Sequence, residues 1–303
     1  MIEIEHLAKQ YGKIIALDNV CLLVKEGETV GILGANGAGK TTLVSIISAL
    51  RTPTSGTVRV NGLNLLANKQ KIKGLIGIVF QENSLDKKLT VKENLTLPGA
   101  LFGFKGSELT ASVEKAIKEF ELGKMQDRVV GTLSGGERQL VEISKCLLHN
   151  PSLFIFDEPT VGLDPKIRHD IWGKIQAIGK NRKNTIIITS HYLEEIEHLC
   201  ERVIVINKGK IVLDDKLSNI QNESKTRLCI SFKQPVTEKA LEKIFGCKVQ
   251  QSGNNYCINL STAGLSINEI TSILSKNNLG ISSIGTEKES LESIYLNLVG
   301  DQK

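Results

Sequence analysis

Apolar and polar residues alternate in the first part of the chain and give way to fully apolar stretches later. Three early segments alternate and end in Gly or Asn-Gly, as half-exposed strands do: IEIEHLAK, ALDNVCLLVKEG and GTVRVNG. Later segments are apolar on both faces, which is typical of a parallel sheet covered by helices. They are LIGIVF (75–80), LFIFDEP (153–159), TIIITS (185–190) and RVIVIN (202–207), and TVGILG (29–34) is a further short apolar strand. The pattern predicts an α/β core with a parallel sheet, joined by an antiparallel β subdomain.

The rest of the chain divides into a helical insert and a smaller C-terminal domain. Residues from about 85 to 150 have amphipathic helical periodicity without a clear strand, which predicts a helical subdomain inside a first domain of residues 1–215. The polar stretch DDKLSNIQNES indicates a linker at 216–225. Residues 226–303 have the βαββαβ order of a small α+β, ferredoxin-like accessory domain. The predicted elements are strand 227–233, helix 237–245, strands near 247–251 and 255–260, helix 266–277 and strand 281–286.

Composition restricts the class of protein only loosely. Of the 303 residues, 41% are hydrophobic and 23% charged, as in an ordinary globular protein. The net charge is +5, from 38 basic and 33 acidic side chains, which is a small surplus for a protein that binds nucleic acid. The six cysteines contain no CxxC pair. We therefore expect free thiols in a reducing compartment rather than a disulfide or zinc framework.

A glycine-rich loop joins the strand at 29–34 to a segment with helical periodicity. Its sequence, GANGAGKT, fits the pattern G-x-x-x-x-G-K-[ST] between a strand and a helix, where backbone N–H groups turn inward around a polyphosphate. Lys40 is expected to reach the β- and γ-phosphate oxygens, and the Thr41 hydroxyl is expected to bind Mg²⁺. An ordinary glycine-rich turn is the weaker alternative. The predicted phosphate-binding residues are Gly34, Asn36, Gly37, Gly39, Lys40, Thr41 and Thr42.

Two adjacent carboxylates follow the apolar run LFIF. Asp157 and Glu158 stand at the carboxyl end of that strand, which is where α/β sheets bind ligands. Asp157 suits a Mg²⁺ contact, direct or through water, and Glu158 is placed to orient or deprotonate an attacking water. Adjacent acids that merely end a strand are common, so the prediction depends on the glycine-rich loop being present as well.

A third motif, LSGGE at 133–137, completes a resemblance to a known family. Together with the glycine-rich loop, the LFIFDEP strand and the lone histidine of TIIITSHYLEE, it resembles the nucleotide-binding subunit of ATP-binding cassette transporters over residues 2–215. LSGGE corresponds to the family's signature sequence, which is often LSGGQ, so Glu137 is a departure. In the family this element closes over ATP that a partner subunit holds. The resemblance therefore implies that Ser134, Gly135 and Gly136 face the γ-phosphate bound by a second copy or a homologous subunit.

The resemblance implies roles for four further residues. Tyr11 corresponds to the aromatic residue that stacks on adenine, although a tyrosine there could equally pack within a strand. Gln81 corresponds to the glutamine that touches Mg²⁺ or the attacking water. Asp164, in GLDP, corresponds to the loop that crosses the dimer interface. His191 corresponds to the histidine that bonds the γ-phosphate and holds Glu158, in place of the structural role that a lone histidine usually has.

These expectations describe an ATPase that drives transport. The segment ENSLDKKLTVKENL and the tail SLESIYLNL resemble the branch of exporters for drugs and polymers, in which the membrane permease is a separate subunit. We expect ATP and Mg²⁺ as cofactors, a permease and a second ATPase subunit as partners, no nucleic acid, and a location on the cytoplasmic side of the membrane. A cassette ATPase that acts on nucleic acid or ribosomes is the alternative, and a ligand-sensing C-terminal domain is compatible with transport. The cargo is left open.

Overall fold

The chain forms two compact units, Met1–Leu217 and Ser218–Lys303. Its structure is a computed structural model. The residues that it describes are 2–81, 84–180, 184–223, 226–234, 236–247, 249–252, 255–259, 267–277, 279–288 and 291–300.

The first unit is built on a six-stranded sheet that confirms the predicted parallel core. Its strands are β3 (Thr29–Leu33), β6 (Ile76–Val79), β7 (Leu153–Asp157), β8 (Thr185–Ser190), β9 (Arg202–Asn207) and β10 (Lys210–Lys216). The order is β10-β9-β3-β8-β7-β6, and every neighbouring pair is parallel except the β9–β10 hairpin at one edge. All residues of β7 and β8 are buried, as the unbroken apolar runs predict.

A second sheet in this unit is antiparallel and has the order β2-β1-β4-β5. Its strands are β1 (Ile2–Tyr11), β2 (Ile14–Val24), β4 (Ser55–Val60) and β5 (Leu63–Asn64). Buried and exposed residues alternate along much of β1 and β2, in agreement with the alternating sequence. Their buried side chains join those of the parallel sheet in one hydrophobic core.

Among the described residues of this unit, seven α-helices connect these strands: α1 (Lys40–Ile47), α2 (Lys69–Leu75), α3 (Val91–Leu101), α4 (Gly106–Glu119), α5 (Gly135–Lys145), α6 (Pro165–Gly179) and α7 (Leu193–Leu199). The range predicted as a helical insert contains α3, α4 and α5. Capping side chains fix the start of several helices, since their oxygens accept backbone N–H groups that the first turn leaves free. None of the helices in the described part of the chain combines the length and apolarity that crossing a membrane requires.

The described elements of the second unit begin with α8 (Leu217–Glu223), whose first residue is the last of the first unit, and continue with β11 (Thr226–Phe232), α9 (Glu238–Phe245), β12 (Val249–Ser252), β13 (Asn255–Asn259), α10 (Ile267–Lys276), β14 (Ile281–Lys288) and α11 (Leu291–Gly300). From β11 to β14 the element order is βαββαβ, the order that the sequence predicts. Its antiparallel sheet has the order β12-β13-β11-β14, and apolar residues of the sheet and of α9 and α10 form a separate core. The ferredoxin-like assignment stays a prediction. One residue in each of three predicted elements lies outside the described residues: 248 in the strand near 247–251, 260 in the strand near 255–260 and 266 in the helix 266–277.

Two features of this part of the chain differ from the sequence analysis. The range 216–225, predicted as a linker, contains the last residue of β10 and all of α8. The expectation that no cysteine is paired is wrong, because Cys229 and Cys257 form a disulfide. They stand directly opposite each other on the neighbouring strands β11 and β13, so their side chains lie on the same face of the sheet. Spacing along the chain, 28 residues, carries no sign of this pairing.

Candidate active site

The glycine-rich loop connects β3 to α1, as its sequence predicts. Gly39, immediately before α1, has a φ of 113°, and a Cβ there would lie 2.6 Å from the backbone oxygen of Ala16. Only glycine satisfies both constraints, so the loop can present its N–H groups to a ligand at the start of the helix. The Lys40 side chain is buried and folds back over the loop, where its Nζ donates to the carbonyl oxygen of Gly34 at 2.7 Å.

The two adjacent acids stand where β7 ends, beside the end of β8. Thr189 of β8 donates its hydroxyl to Asp157 Oδ1 at 2.5 Å. The Glu158 N–H donates to both the carbonyl and the hydroxyl oxygen of Thr189, at 3.0 and 3.1 Å. Glu158 has a φ of 52°, a left-handed conformation that is uncommon for a residue with a side chain and is often found at functional sites. One buried threonine thus fixes both acids.

Glu158 brings two other predicted site residues together. Its Oε1 lies 3.1 Å from Lys40 Nζ, and its Oε2 lies 3.1 Å from Nδ1 of His191, which follows β8. Glu158 and Lys40 are both buried, so their charges interact with little solvent screening. A carboxylate with a cation on one oxygen and an imidazole on the other is held in one orientation next to the phosphate-binding loop.

The acid preceding Glu158 has the properties of a Mg²⁺ ligand. Burial raises the pKa of Asp157 above its ordinary value, and hydrogen bonds with the hydroxyls of Thr189 and Thr41 oppose that effect. A hydroxyl and a carboxylate in contact are the oxygen ligands that Mg²⁺ takes beside substrate phosphates. Among the described residues, no group of three or more His, Cys, Asp or Glu is arranged to hold a metal. The donors therefore fit an ion shared with a nucleotide and do not form a complete protein cage.

The LSGGE segment forms the N-terminus of α5. Ser134 is the N-cap: its side chain accepts the N–H of Glu137, and the Glu137 carboxylate in turn accepts the Ser134 N–H at 2.7 Å. Arg128 pairs with the second oxygen of Glu137 at 2.9 Å. The backbone hydrogen bond from Ser134 is the main reason that the pKa of Glu137 is lowered. Glu137, which departs from the common signature, thus stabilises the helix start, and its charge is balanced by Arg128.

The same segment faces solvent and packs against α6. Ser134 and Gly135 are exposed. A Cβ on Gly136 would lie 2.4 Å from the Ile167 side chain, so α6 approaches this helix start as closely as a glycine permits. Asp164, the N-cap of α6, is also exposed, and its side chain accepts the N–H of Ile167. Within the described part of the chain, no hydrogen bond or ion pair joins Ser134 to the phosphate-binding loop.

The other predicted site residues are not joined to this cluster by the contacts described. Tyr11 ends β1 with a partly exposed ring, and the cations of Lys9 and Arg51 lie over it at 4.9 and 5.5 Å. Gln81 is exposed just beyond β6. The loop residues Asn36 and Gly37 are exposed as well, and Thr42 is half-buried in α1.

Sequence reasoning missed two buried polar residues that support the site. Thr189, described above, is one. Glu195 in α7 is fully buried, and its Oε1 accepts the Thr160 hydroxyl at 2.7 Å and the Trp172 indole N–H at 3.0 Å. It ties the segment after Glu158 to α6 and α7. The signal available in the sequence is a polar residue inside an apolar pattern, namely Thr189, the second threonine of TIIITS, and Glu195, the second glutamate of LEEIEHL.

Similarity to known proteins agrees with this geometry. Residues 17–161 match the ABC transporter family. The linearmycin resistance ATP-binding protein LnrL of Bacillus subtilis (strain 168) is 30% identical, over 99% of this chain and 98% of the relative. The ATP-binding protein NatA of the same organism is 37% identical over 70% of this chain and 86% of its own length. The Nod factor export ATP-binding protein I of Mesorhizobium japonicum (strain LMG 29417 / CECT 9101 / MAFF 303099) is 36% identical over 69% of this chain, which spans 61% of that relative.

Solved structures are similar over nearly three quarters of the chain. A dimeric ATP-binding cassette in a post-hydrolysis state, bound to ADP and Pi, superimposes with a TM-score of 0.66 and 31% identity over 72% of this chain and 99% of its own. A nucleotide-free cassette from an ABC transporter gives a TM-score of 0.67 and 25% identity over 73% and 94%. The fold of these cassettes is therefore also the fold of this chain over the matched part. The chain belongs to the ABC transporter family, among its ATP-binding, ATP-hydrolysing subunits.

Proposed function

We propose that this chain powers an exporter by hydrolysing ATP in a head-to-tail dimer, in which each phosphate-binding loop is completed by the LSGGE segment of a second copy. The observation that carries the proposal is the bridging of Lys40 and His191 by the two oxygens of Glu158. The cluster stands at the carboxyl end of the parallel sheet, next to a glycine-rich loop and beside Asp157. This combination of charges serves phosphoryl transfer, in which catalysis is mainly positioning and charge neutralisation.

The first event, on ATP binding, is that Lys40 changes its ion-pair partner. When ATP binds, Lys40 leaves Glu158 and pairs with the phosphate oxygens, which releases one carboxylate oxygen to accept a proton from the attacking water. His191 keeps the other oxygen in place, and its remaining ring nitrogen is directed to the γ-phosphate. Thr41 and Asp157, with Gln81 from the neighbouring loop, would hold Mg²⁺, which would supply positive charge to offset the negative charge of the β- and γ-phosphates. Tyr11 supports the adenine ring by stacking.

The second copy contributes the other half of the site. Ser134 and Gly135 are exposed at a helix N-terminus, which favours an anion both by its N–H groups and by its dipole. In the described part of the chain, the side-chain hydrogen bonds of Ser134 go to Glu137 and none goes to the chain's own glycine-rich loop. A two-fold pair of chains places this helix N-terminus over the partner's nucleotide, with Asp164 at the contact between them. Hydrolysis then separates the pair, and the motion is passed to a permease.

The relatives that match along the whole chain support a proposal for the class of cargo. LnrL and the daunorubicin resistance ATP-binding protein DrrA2 of Streptomyces coeruleorubidus both match over at least 98% of this chain, including the C-terminal unit. We infer export of a drug through a separate integral-membrane permease, with the ATPase peripheral on the cytoplasmic face. We infer that the range 226–303 is a regulatory accessory domain.

Co-purification tests this assignment. The full-length chain, carrying an affinity tag, is purified from detergent-solubilised membranes, and its partners are identified by mass spectrometry. We expect to recover a polytopic membrane protein in constant ratio to the chain. The purified complex should hydrolyse ATP faster than the chain alone. Recovery of ribosomes or of nucleic acid whose binding weakens with salt would instead support the alternative function.

A further inference from the structure

The His191 ring has a neighbour that the catalytic assignments leave unused. Tyr192 follows it in the chain, and the two ring centroids lie 4.1 Å apart with the planes tilted by 39°. The Tyr192 backbone is fixed, because its N–H donates to the Ser190 hydroxyl at 2.9 Å and it stands at the N-cap of α7. Ring contact therefore limits the directions in which the His191 imidazole can turn about its one hydrogen bond to Glu158.

The far side of this contact involves α6. The guanidinium carbon of Arg168 lies over the Tyr192 ring, 4.8 Å from its centroid, within the distance at which a cation is attracted to an aromatic face. The Arg168 Nε is buried without a hydrogen-bond partner among the described residues. Its burial is thus compensated by the ring and not by a hydrogen bond. Without Tyr192, nothing described would hold this guanidinium in place.

Arg168 lies in the first turn of α6, and the N-cap of that helix, Asp164, is the residue proposed above to lie at the contact between two copies. The Arg168 backbone N–H donates to the backbone carbonyl of Asp164 at 3.0 Å. A continuous series of contacts then runs from Asp164 through Arg168 and Tyr192 to His191 and ends at Glu158. The links are covalent, hydrogen-bonded or stacked, with no gap wider than a ring contact.

We propose that Tyr192 is the positioning residue for His191 and that Arg168 holds the Tyr192 ring, so that the start of α6 sets the orientation of the histidine. The inference rests on the proposed role of His191 in hydrolysis. It assigns the contact to turnover and not to nucleotide binding, because neither Arg168 nor Tyr192 belongs to the phosphate-binding loop. A displacement of a catalytic group by about 1 Å can lower a rate by about a hundredfold.

Steady-state phosphate release by the full-length chain, with matched variants, tests this. Tyr192→Leu removes the ring but keeps apolar bulk, and Tyr192→Phe keeps the ring. We expect Tyr192→Leu to lower kcat about tenfold with the KM for ATP changed by less than about twofold, and Tyr192→Phe to keep wild-type kcat. Arg168→Gln should lower kcat in the same direction and Arg168→Lys should restore most of it, since a cation over the ring is retained.

The background of His191→Ala separates positioning from packing. There, Tyr192→Leu should cause no further loss, since the group that it positions is gone. A second loss of about tenfold in that background, or wild-type kcat for Tyr192→Leu alone, would overturn the inference. If His191→Ala is too slow to compare, the cycle of Tyr192→Leu with Arg168→Gln decides, because a shared route predicts that the double variant is no slower than Tyr192→Leu.

Two further outcomes are distinguishable. His191→Ala with wild-type kcat would refute the catalytic role of the histidine, and the positioning role with it. A slow His191→Ala beside a fully active Tyr192→Leu refutes the positioning role alone. Circular dichroism melting of each variant identifies any loss that comes from unfolding, and in that case the Arg168→Gln and Arg168→Lys pair carries the test.

Discussion

Replacement of Glu158 by Gln separates ATP binding from ATP hydrolysis. The substitution keeps the size of the side chain and its contact with His191, but it removes the charge that pairs with Lys40 and the base that accepts a proton. Lys40 keeps its hydrogen bond to the Gly34 carbonyl at 2.7 Å, so the loop retains its internal support. We therefore expect a folded protein in which binding and turnover change in opposite directions.

The magnitudes follow from the contacts of the carboxylate. Loss of a general base lowers a rate by about a hundredfold to ten-thousandfold. In the wild-type chain, ATP must compete with Glu158 for the Lys40 ammonium, which stands 3.1 Å from the carboxylate. A hydrogen bond to a charged group contributes about 1.5–3 kcal/mol net, so release from this competition tightens ATP binding by about tenfold or more.

Two assays check the two effects. Phosphate release under saturating Mg²⁺ and ATP gives kcat, and titration with a fluorescent ATP analogue gives the affinity. Light scattering in the presence of ATP should also detect a stable dimer of the variant, because dissociation of the dimer requires ATP hydrolysis. Wild-type phosphate release by Glu158→Gln would refute its role as base, and weaker ATP binding would refute the competition between the nucleotide and Glu158 for Lys40.

Three further predictions concern stability. Glu195→Ala removes the buried acceptor of the Trp172 indole and of a threonine hydroxyl, which should cost about 2–6 kcal/mol in urea denaturation, and a loss below about 1 kcal/mol contradicts it. Cys229→Ser opens the disulfide, whose 28-residue separation corresponds to roughly 3.5 kcal/mol. Cys247→Ser, which removes a free thiol, is its control, and reductant should shift the wild-type midpoint but not that of Cys229→Ser. The pKa of Glu137 is lower in the folded chain than its ordinary value of 4.5, so the ionised carboxylate stabilises the fold at pH values above 4.5. This stabilisation is lost as the pH falls through the pKa of the folded state. The stability advantage over Glu137→Gln should thus disappear in acid, and an advantage that grew there would contradict this.

The sequence predicts best those parts of the fold that a local pattern determines. Fully apolar runs specify buried parallel strands, and GANGAGKT specifies its own backbone because only glycines allow the loop. The sequence does not predict β10, because it is an edge strand in which no residue is fully buried and KIVLDDK ends in charged residues as a loop does. The helix α8 lies in a polar stretch whose composition is typical of a linker, although its Leu217 and Ile220 are buried.

The parts that could not be predicted depend on residues distant in the chain. Strand register brings Cys229 opposite Cys257, and register is set by the whole sheet. A buried polar residue such as Thr189 or Glu195 is visible in the sequence as an exception to the apolar pattern. Its partners are known only when the strands and helices are packed. The left-handed backbone of Glu158 likewise arises from hydrogen bonds with a different strand.

The most direct test of the shared active site is a mixing experiment with two defective chains. Ser134→Arg blocks the LSGGE segment and keeps the phosphate-binding loop, whereas Lys40→Ala does the reverse. Neither variant alone should hydrolyse ATP. In an equal mixture, about half of the dimers are mixed and each has one intact site, so we predict about a quarter of wild-type phosphate release. A mixture as inactive as its components, or either variant fully active by itself, would contradict a site built from two copies.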